Sequence, residues 1–578
     1  MKKLLLLGLA LASVSSFALP SADEMTTSQL VGQAIMPRLY IGRHKVFKQA
    51  IEKGEVTGFF IKSEAGMFGA SVTLKNQDKF VAKQRKLLKK TLKDINKWVA
   101  KSPHKIPLFL AFDYEGGTVT SPMFMGLKQM PSNMLLAATQ DKILIGDMYA
   151  QQAAEILRVG GNMALGPVTD VNSNPANPII QTRSFGDNAK QVGQLAAAAV
   201  GGLQYNGVPA VLKHFPGHGD TATDSHFTQP VTNLPEKELW DTHISAFEPA
   251  INKGVWGIMT NFVVYPQIDD KNSAIFSHKI VTGLLRDKMG FRGLVFTDGL
   301  DMKGSGGKPV KDLVLDGYGA GNDVLLLTGS ETDYDKSIEY ARQAAQVVSQ
   351  ALAQGDKRVS RGQLVHSVQN ILNLKQNLLS APKEKTDEAD FARVARKVAE
   401  KGVTMVRDTQ NFPALLQQSK DVCVVMFADG IFSKQVHNVA DVFEQNGKKV
   451  RYVQTPRAPK PEDIPAVDAC MKDADIAVIG TSSTSTINPD QFEWVNSILT
   501  GAKAHGQPVA LISLLNPYEI PSYPRVETVV ALYGATPDAT TVAAEILLGL
   551  REAKGVLPIT LHDTILLPFE KVQRRLVL

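Results

Sequence analysis

Fourteen consecutive residues, Lys213-His214-Phe215-Pro216-Gly217-His218-Gly219-Asp220-Thr221-Ala222-Thr223-Asp224-Ser225-His226, hold three histidines, two carboxylates and a lysine. They follow Val208-Pro209-Ala210-Val211-Leu212, an apolar run that reads as a buried strand. Two chemistries fit this stretch. In the first, Asp224 and His226, two apart in an extended segment, share a face. The carboxylate then orients the imidazole and raises its basicity, which gives an acid/base near neutral pH. Asp298, in Phe296-Thr297-Asp298-Gly299-Leu300, supplies a nucleophile aimed by a strand, with Gly299 allowing close approach. A nucleophilic carboxylate and a separate proton donor are what glycosidic bond cleavage needs. In the second, His214, His218, Asp220, Asp224 and His226 offer nitrogen and oxygen ligands to zinc or another divalent ion. Against it stand the positive charge of Lys213 in the same mouth and a spacing that matches no common zinc signature.

Positioning these groups requires strands that end together. Short apolar runs recur at Val56–Ile61, Pro107–Phe112, Met163–Val168, Val208–Leu212, Gly257–Phe262, Gly293–Thr297 and Asp323–Leu327. Between them, segments such as Asp147–Val159, Ala189–Leu203 and Lys279–Met289 show helical spacing of apolar residues. Seven strands alternating with helices predict a parallel α/β fold, most economically a TIM-like (β/α)8 barrel, with an open doubly wound sheet as the competing topology. Asp113, Asp170, Lys213-His214, Asn261 and Asp298 each close a different strand, and in a barrel those ends meet at one mouth. A single Asp after a strand often only caps the next helix. Five polar strand ends together point to a site.

After Leu378 a polar linker, Ser380-Ala381-Pro382-Lys383-Glu384-Lys385, precedes a helical segment from Ala389 to Lys401. Apolar runs return at Val422–Phe427, Val450–Val453, Ile476–Ile479, Val509–Leu514 and Val529–Leu532, which predicts five parallel strands in a C-terminal α/β sandwich. The expected division is therefore a leader at 1–18, a barrel over 19–380, linker and helix over 381–400, and the sandwich over 401–578. The run Thr481–Thr486 reads as a solvated loop rather than a glycan contact.

The 578 residues include 63 Lys and Arg against 57 Asp and Glu. No basic run with interleaved aromatics marks a nucleic-acid partner. Lys2-Lys3, the apolar stretch Leu4–Val14 and then Ser16-Phe17-Ala18 form a secretory leader pattern with cleavage after Ala18. The expected location is periplasmic or secreted, without stable membrane insertion. Two cysteines, Cys423 and Cys470, make no framework. Cys423, inside Val422–Met426, reads as a buried inert thiol, although an oxidising compartment permits a pair.

Lys213–Gly219 followed by Asp224-Ser225-His226 resembles the signature of family 3 glycoside hydrolases, in their β-N-acetylglucosaminidase branch. Asp113-Tyr114-Glu115-Gly116-Gly117, Asn177-Pro178-Ile179-Ile180 before Arg183-Ser184-Phe185, and Gly290–Asp298 occur in the family's order, and the likeness covers most of residues 28–380. The resemblance implies a retaining double displacement. Asp298 forms a glycosyl-enzyme, His226 held by Asp224 serves as acid/base, and Asp113, Arg183, Lys213 and His214 hold the sugar in the −1 subsite. It implies no metal and no organic cofactor. Its substrates are carbohydrates with β-linked N-acetylglucosamine, in muropeptides or chitooligosaccharides. Three positions depart from the pattern: Thr118-Val119-Thr120-Ser121 lacks the usual arginine, Asn261 stands where histidine is expected, and Gly299 replaces an acidic residue. Two alternatives follow. One is a phosphorylase, whose anionic acceptor a His-Asp donor does not repel. The other is a catalytically silent sugar-binding protein.

Overall fold

The computed structural model describes residues 19–64, 75–117, 119, 121–328, 336–380, 388–484, 487–524 and 526–561. The leader segment and the linker stretch 381–387 lie outside them, as do Thr118, Thr120 and the side chain of Ser121.

Eight parallel strands form the first unit: β1 (Ile35–Tyr40), β2 (Gly58–Lys62), β3 (Phe109–Phe112), β4 (Met163–Ala164), β5 (Val211–Phe215), β6 (Gly257–Thr260), β9 (Leu294–Thr297) and β10 (Leu325–Leu327). A short hairpin, β7 (Val264–Tyr265) and β8 (Asp269–Ser273), projects between β6 and β9. The strands pair in the orders β10-β1-β2-β3-β4 and β5-β6-β9. Isolated parallel bridges, Ala164 to Ala210, Val168 to Lys213 and Phe296 to Val324, join the two sets at both seams. The strands thus succeed one another in a ring, as the (β/α)8 reading expects.

β1 is the strand that the apolar runs did not announce. Pro37 and Arg38 interrupt its hydrophobic pattern, yet all six residues are buried, because Ile35–Pro37 pair with Leu325–Leu327 and Arg38–Tyr40 with Phe60–Lys62. Met36, Phe60, Phe109, Ala111, Met163, Val211, Met259 and Phe296 fill the ring with apolar side chains. The interior is a packed core, which leaves the strand ends as the place for chemistry.

The outer helices carry ordinary stop and start chemistry. Asp141 caps Lys142–Val159 by accepting from Ile143 and Leu144 N–H, and Gly160 ends it with φ +97°. Asn188 caps Ala189–Tyr205 in the same way. Lys279–Lys288, expected as an ordinary helix, is wound as a π-helix.

The second unit is one sheet, β11 (Thr404–Asp408), β12 (Asp421–Phe427), β13 (Lys449–Thr455), β14 (Ile476–Thr481), β15 (Val509–Ser513) and β16 (Thr528–Ala531). Its order is β11-β16-β15-β14-β12-β13. Five strands are parallel as expected, and β11 adds a sixth, antiparallel to β16. The edge strand is mostly only half-buried, which is why its apolar signal was weak.

Cys423 on β12 and Cys470 on the helix Ile464–Lys472 form a disulfide. The expectation of a free buried thiol is corrected: that helix packs on β12 and brings the two Cα atoms to 5.4 Å.

The two units meet beside the mouth of the ring. Asn172 Nδ2 donates to Tyr518 Oη (3.1 Å), Lys434 pairs with Asp78 (2.7 Å), and Lys401 with Asp141 (2.7 Å). Gly117 (φ +68°) and Gly534 abut so closely that a Cβ on Gly534 would sit 2.9 Å from Gly117 Cα. No helix among the described residues is long and apolar enough to cross a membrane.

Candidate active site

β5 delivers Lys213 and His214 to the mouth. Lys213 is only 2 % exposed, and its ammonium donates to Asp113 Oδ1 (2.8 Å) and lies 2.7 Å from Glu115 Oε1. Lys62, at the end of β2, reaches Asp113 Oδ2 (3.1 Å). Arg183 grips Glu115 with two donors, Nε at 2.7 Å and Nη2 at 3.1 Å, and donates from Nη1 to Ile179 O (3.1 Å). Five charges therefore alternate, Lys62, Asp113, Lys213, Glu115 and Arg183, across the ends of β2, β3 and β5 and the turn at Arg183.

Burial pushes both carboxyls up, but the cations overcome it and hold Asp113 and Glu115 below the usual carboxylate range. Burial likewise pulls Lys213 down, and its two carboxylate neighbours outweigh that and raise it. Asp113, Glu115, Arg183 and Lys213 stay charged at neutral pH, and each needs its partners, because an uncompensated buried charge costs several kcal/mol.

A second network hangs on Asp170, fully buried after β4. It accepts from His214 Nδ1 (2.6 Å) and N (3.1 Å) and from the backbone N–H of His218 (2.6 Å). Burial raises its carboxyl, yet His214 and His218 hold it down at about 2. His218 itself is driven down to about 4 by burial and stays neutral, with Thr221 Oγ1 2.9 Å from its Nδ1. Asn177 clamps the same loop, donating to His218 O (2.8 Å) and Thr221 O (2.9 Å). Gly219 can be nothing else: a Cβ there would lie 1.7 Å from Val171 O.

The loop then returns with Asp224 and His226. Asp224 Oδ1 accepts from both the Nδ1 and the backbone N–H of His226, each at 2.8 Å. The two residues meet across a turn, not along the extended segment expected, because one carboxylate oxygen closes a short ring through the backbone. The Asp224 hydrogen bond is the main influence raising the His226 imidazole, burial opposes it, and the Asp298 carboxylate raises it further. His226 Nε2 has no hydrogen-bond partner among the described residues and the side chain is 49 % exposed.

Asp298 follows β9 with its own N–H bonded to Thr260 O (3.1 Å) and its Oδ1 accepting from Gly299 N–H (2.7 Å). Gly304 N–H, six residues on, donates to Ser225 O (2.9 Å), so the Asp298 loop and the Asp224–His226 loop are stitched together. Gly299 is glycine for packing: a Cβ would meet Thr328 Oγ1 at 2.9 Å.

The five groups considered as metal ligands go to separate partners. His214 and the backbone N–H of His218 take Asp170, Asp220 takes Thr232, and Asp224 takes His226. Among the described residues no three His, Cys, Asp or Glu converge to hold a metal.

Residues 27–374 match the family described as the glycosyl hydrolase family 3 N terminal domain. The chain belongs to glycosyl hydrolase family 3. It is 27 % identical to the β-hexosaminidase A of Pseudoalteromonas piscicida, across 95 % of this chain and 99 % of that one. Identity is 26 % to a β-N-acetylglucosaminidase/β-glucosidase of Cellulomonas fimi, across 78 % and 82 %. Among solved structures, the family 3 β-N-acetylglucosaminidase of Paenibacillus sp. str. FPU-7 superposes with a TM-score of 0.79 at 26 % identity, covering 94 % of this chain and all of that one. A β-glucoside phosphorylase shares the fold, with a TM-score of 0.74 at 20 % identity over 94 % and 96 %.

Within this family 3 chain, the site residues named from sequence gather in two places. Asp113, Arg183, Lys213 and His214 line one wall, while Asp224 and His226 sit on a loop tied to the Asp298 loop. Asn261 is corrected: it is fully buried and donates to His214 O (2.8 Å) and Tyr265 Oη (3.0 Å), so it supports the backbone behind His214. Sequence reasoning passed over Lys62 and Glu115 and gave Asp170 no role beyond a strand end. Glu115 carried a signal, two residues after Asp113 at the same strand end.

Proposed function

We propose that this chain is an exported, retaining exo-β-N-acetylglucosaminidase acting on β-linked N-acetylglucosamine in cell-wall muropeptides or chitooligosaccharides. Asp298 attacks the anomeric carbon while His226 Nε2–H donates its proton to the departing oxygen. The same imidazole, then neutral, takes a proton from the water that releases the glycosyl-enzyme. Asp224 keeps Nδ1 protonated and the ring aimed, as a carboxylate does for a histidine base.

The observation that carries this reading is a His226 Nε2 without a partner among the described residues, on a ring that Asp224 orients and raises, with a further push from the Asp298 carboxylate. The substrate class draws on the relatives' descriptions as a β-hexosaminidase and β-N-acetylglucosaminidases. The charged wall suits an uncharged polar ligand. Each carboxylate is held between two cations, Asp113 by Lys62 and Lys213 and Glu115 by Lys213 and Arg183, and the fixed donors and acceptors of the array can pair with hydroxyls. Lys213 and Arg183 thus bind sugar as members of a preorganised array. The leader pattern and the Cys423–Cys470 disulfide both support export.

The test is a panel of aryl β-glycosides differing only at C2, run with and without phosphate. The N-acetylglucosaminide is expected to be the best substrate, to yield free sugar, and to lose about 10⁴-fold or more of its turnover in Asp298→Ala. A preference for the glucoside overturns the substrate, sugar-1-phosphate as product overturns hydrolysis, and full activity in Asp298→Ala overturns the mechanism.

A further inference from the structure

The helix Gln77–Lys101, between β2 and β3, buries Leu88, Thr91, Leu92 and Ile95 against the barrel. On its opposite side Lys79, Lys83, Lys86, Lys90, Lys93, Lys97 and Lys101 recur at spacings of three and four, so they fall on one stripe. At the rise of an α-helix that stripe runs about 33 Å. Lys89 flanks it. All eight side chains are exposed, and none has an ion-pair partner among the described residues. Of the helix's own carboxylates, Asp78 is taken by Lys434 at 2.7 Å, while Asp94 lies 3.4 Å from His44, an imidazole that burial pulls below its ordinary value. Arg85, off the stripe, is taken by Glu155.

Like charges at these spacings destabilise a helix. The chain as a whole is nearly balanced, with 63 basic and 57 acidic residues, so this is segregation and not composition. A solvated face normally intersperses both signs.

The make-up of the stripe narrows its partner. Lysine is a hydrated, flexible point charge suited to diffuse attraction, whereas specific bidentate recognition favours arginine. The aromatics of this helix are engaged inward, Phe80 against Phe124 and Trp98 against His44, and its exposed apolar residues are only Ala82 and Ala100, so no free ring is offered for base stacking and no apolar wedge for insertion. A straight row on a convex flank touches a plane along its length. Beside it opens a cavity of about 540 Å³ lined by Lys89, Lys93, Asn96, Lys97, Ala100 and Gly160, with room for a phosphate-bearing headgroup.

We propose that this flank is a docking surface for bilayers rich in anionic phospholipid, which it touches electrostatically and reversibly. The barrel then lies on its side, with the strand-end mouth uncovered. The inference is independent of the reaction proposed above.

Cosedimentation of the full chain with vesicles tests it, using phosphatidylcholine alone or with about one-third phosphatidylglycerol. Binding is expected on the anionic vesicles only, with release at high salt. Replacing Lys83, Lys86, Lys90, Lys93 and Lys97 together by Gln is expected to weaken it about tenfold or more. Unchanged hydrolysis of an aryl glycoside shows that the variant is folded. The smaller set Lys86→Gln, Lys93→Gln and Lys97→Gln serves if it is not, and is expected to shift binding in the same direction. Equal binding to neutral vesicles, binding that resists salt, or unaltered binding by a folded variant overturns the proposal. So does a wild type that ignores both vesicles yet is retained on immobilised DNA.

Discussion

At the scale of single residues, the proposed chemistry rests on how a carboxylate tunes a histidine. Asp224 raises the His226 imidazole above its ordinary value, so the proton donor survives to higher pH than an isolated histidine would allow. Loss of that neighbour lowers the imidazole, and under the proposed mechanism, in which His226 is protonated in the first step, kcat/KM then falls off at lower pH. Asp224→Asn is therefore expected to move the alkaline limb of the kcat/KM profile downward in pH and to lower the value at pH 7 about 10- to 100-fold. Aryl leaving groups that need no proton are expected to recover most of the loss. A limb that stays in place would show that Asp224 only shapes the loop. This pair was legible in the sequence because its members are two apart. Glu115 carried only its place two residues after Asp113, and Lys62 carried nothing, since nothing local marks a lysine at the end of β2 as a member of one array. Their roles exist only once β2, β3 and β5 are brought side by side.

At the scale of elements, the loop after β5 is held by a carboxylate on its neighbour. Asp170 receives three N–H donors from residues 214 and 218 and is shut off from solvent, so Asp170→Asn leaves buried donors badly matched. The expected cost is about 3 kcal/mol or more, read from the urea midpoint at pH 6. The sign with pH follows from the depressed carboxyl, at about 2 against an ordinary 3.8. Its stabilisation is complete above pH 4 and is lost as pH falls toward 2. The gap between wild type and variant should therefore close over that window. A constant gap down to pH 2 would assign the cost to packing alone. The strand ends were readable as a set because each polar residue follows an apolar run. The clamp was not readable, because an Asp after a strand looks the same whether it caps a helix or holds two histidines. β1 escaped for a related reason: its burial comes from pairing on both sides, which overrides the interruption at Pro37 and Arg38.

At the scale of the whole molecule, the second unit braces the mouth of the first. Tyr518 meets Asn172, next to the Val171 carbonyl against which Gly219 packs, and Gly534 meets Gly117, two residues from Glu115. The βα alternation was legible along the chain, but this interface and the Cys423–Cys470 bond were not, since both depend on residues far apart in sequence. The disulfide joins β12 to a helix 47 residues later, and closing a loop of that size stabilises by about 3–4 kcal/mol in the chain-entropy account. None of its atoms belongs to the site, so Cys470→Ser should leave turnover of an aryl glycoside at 25 °C unchanged. On heating, the second unit is expected to melt earlier and remove its support from the Asn172 and Gly117 loops. The midpoint of thermal inactivation should then fall by several degrees, and thiol reductant should do the same to the wild type but nothing further to the variant. A thiol count of zero in the unfolded, unreduced wild type establishes the bond. An inactivation midpoint unmoved by Cys470→Ser would mean that the barrel holds its mouth without help from the second unit.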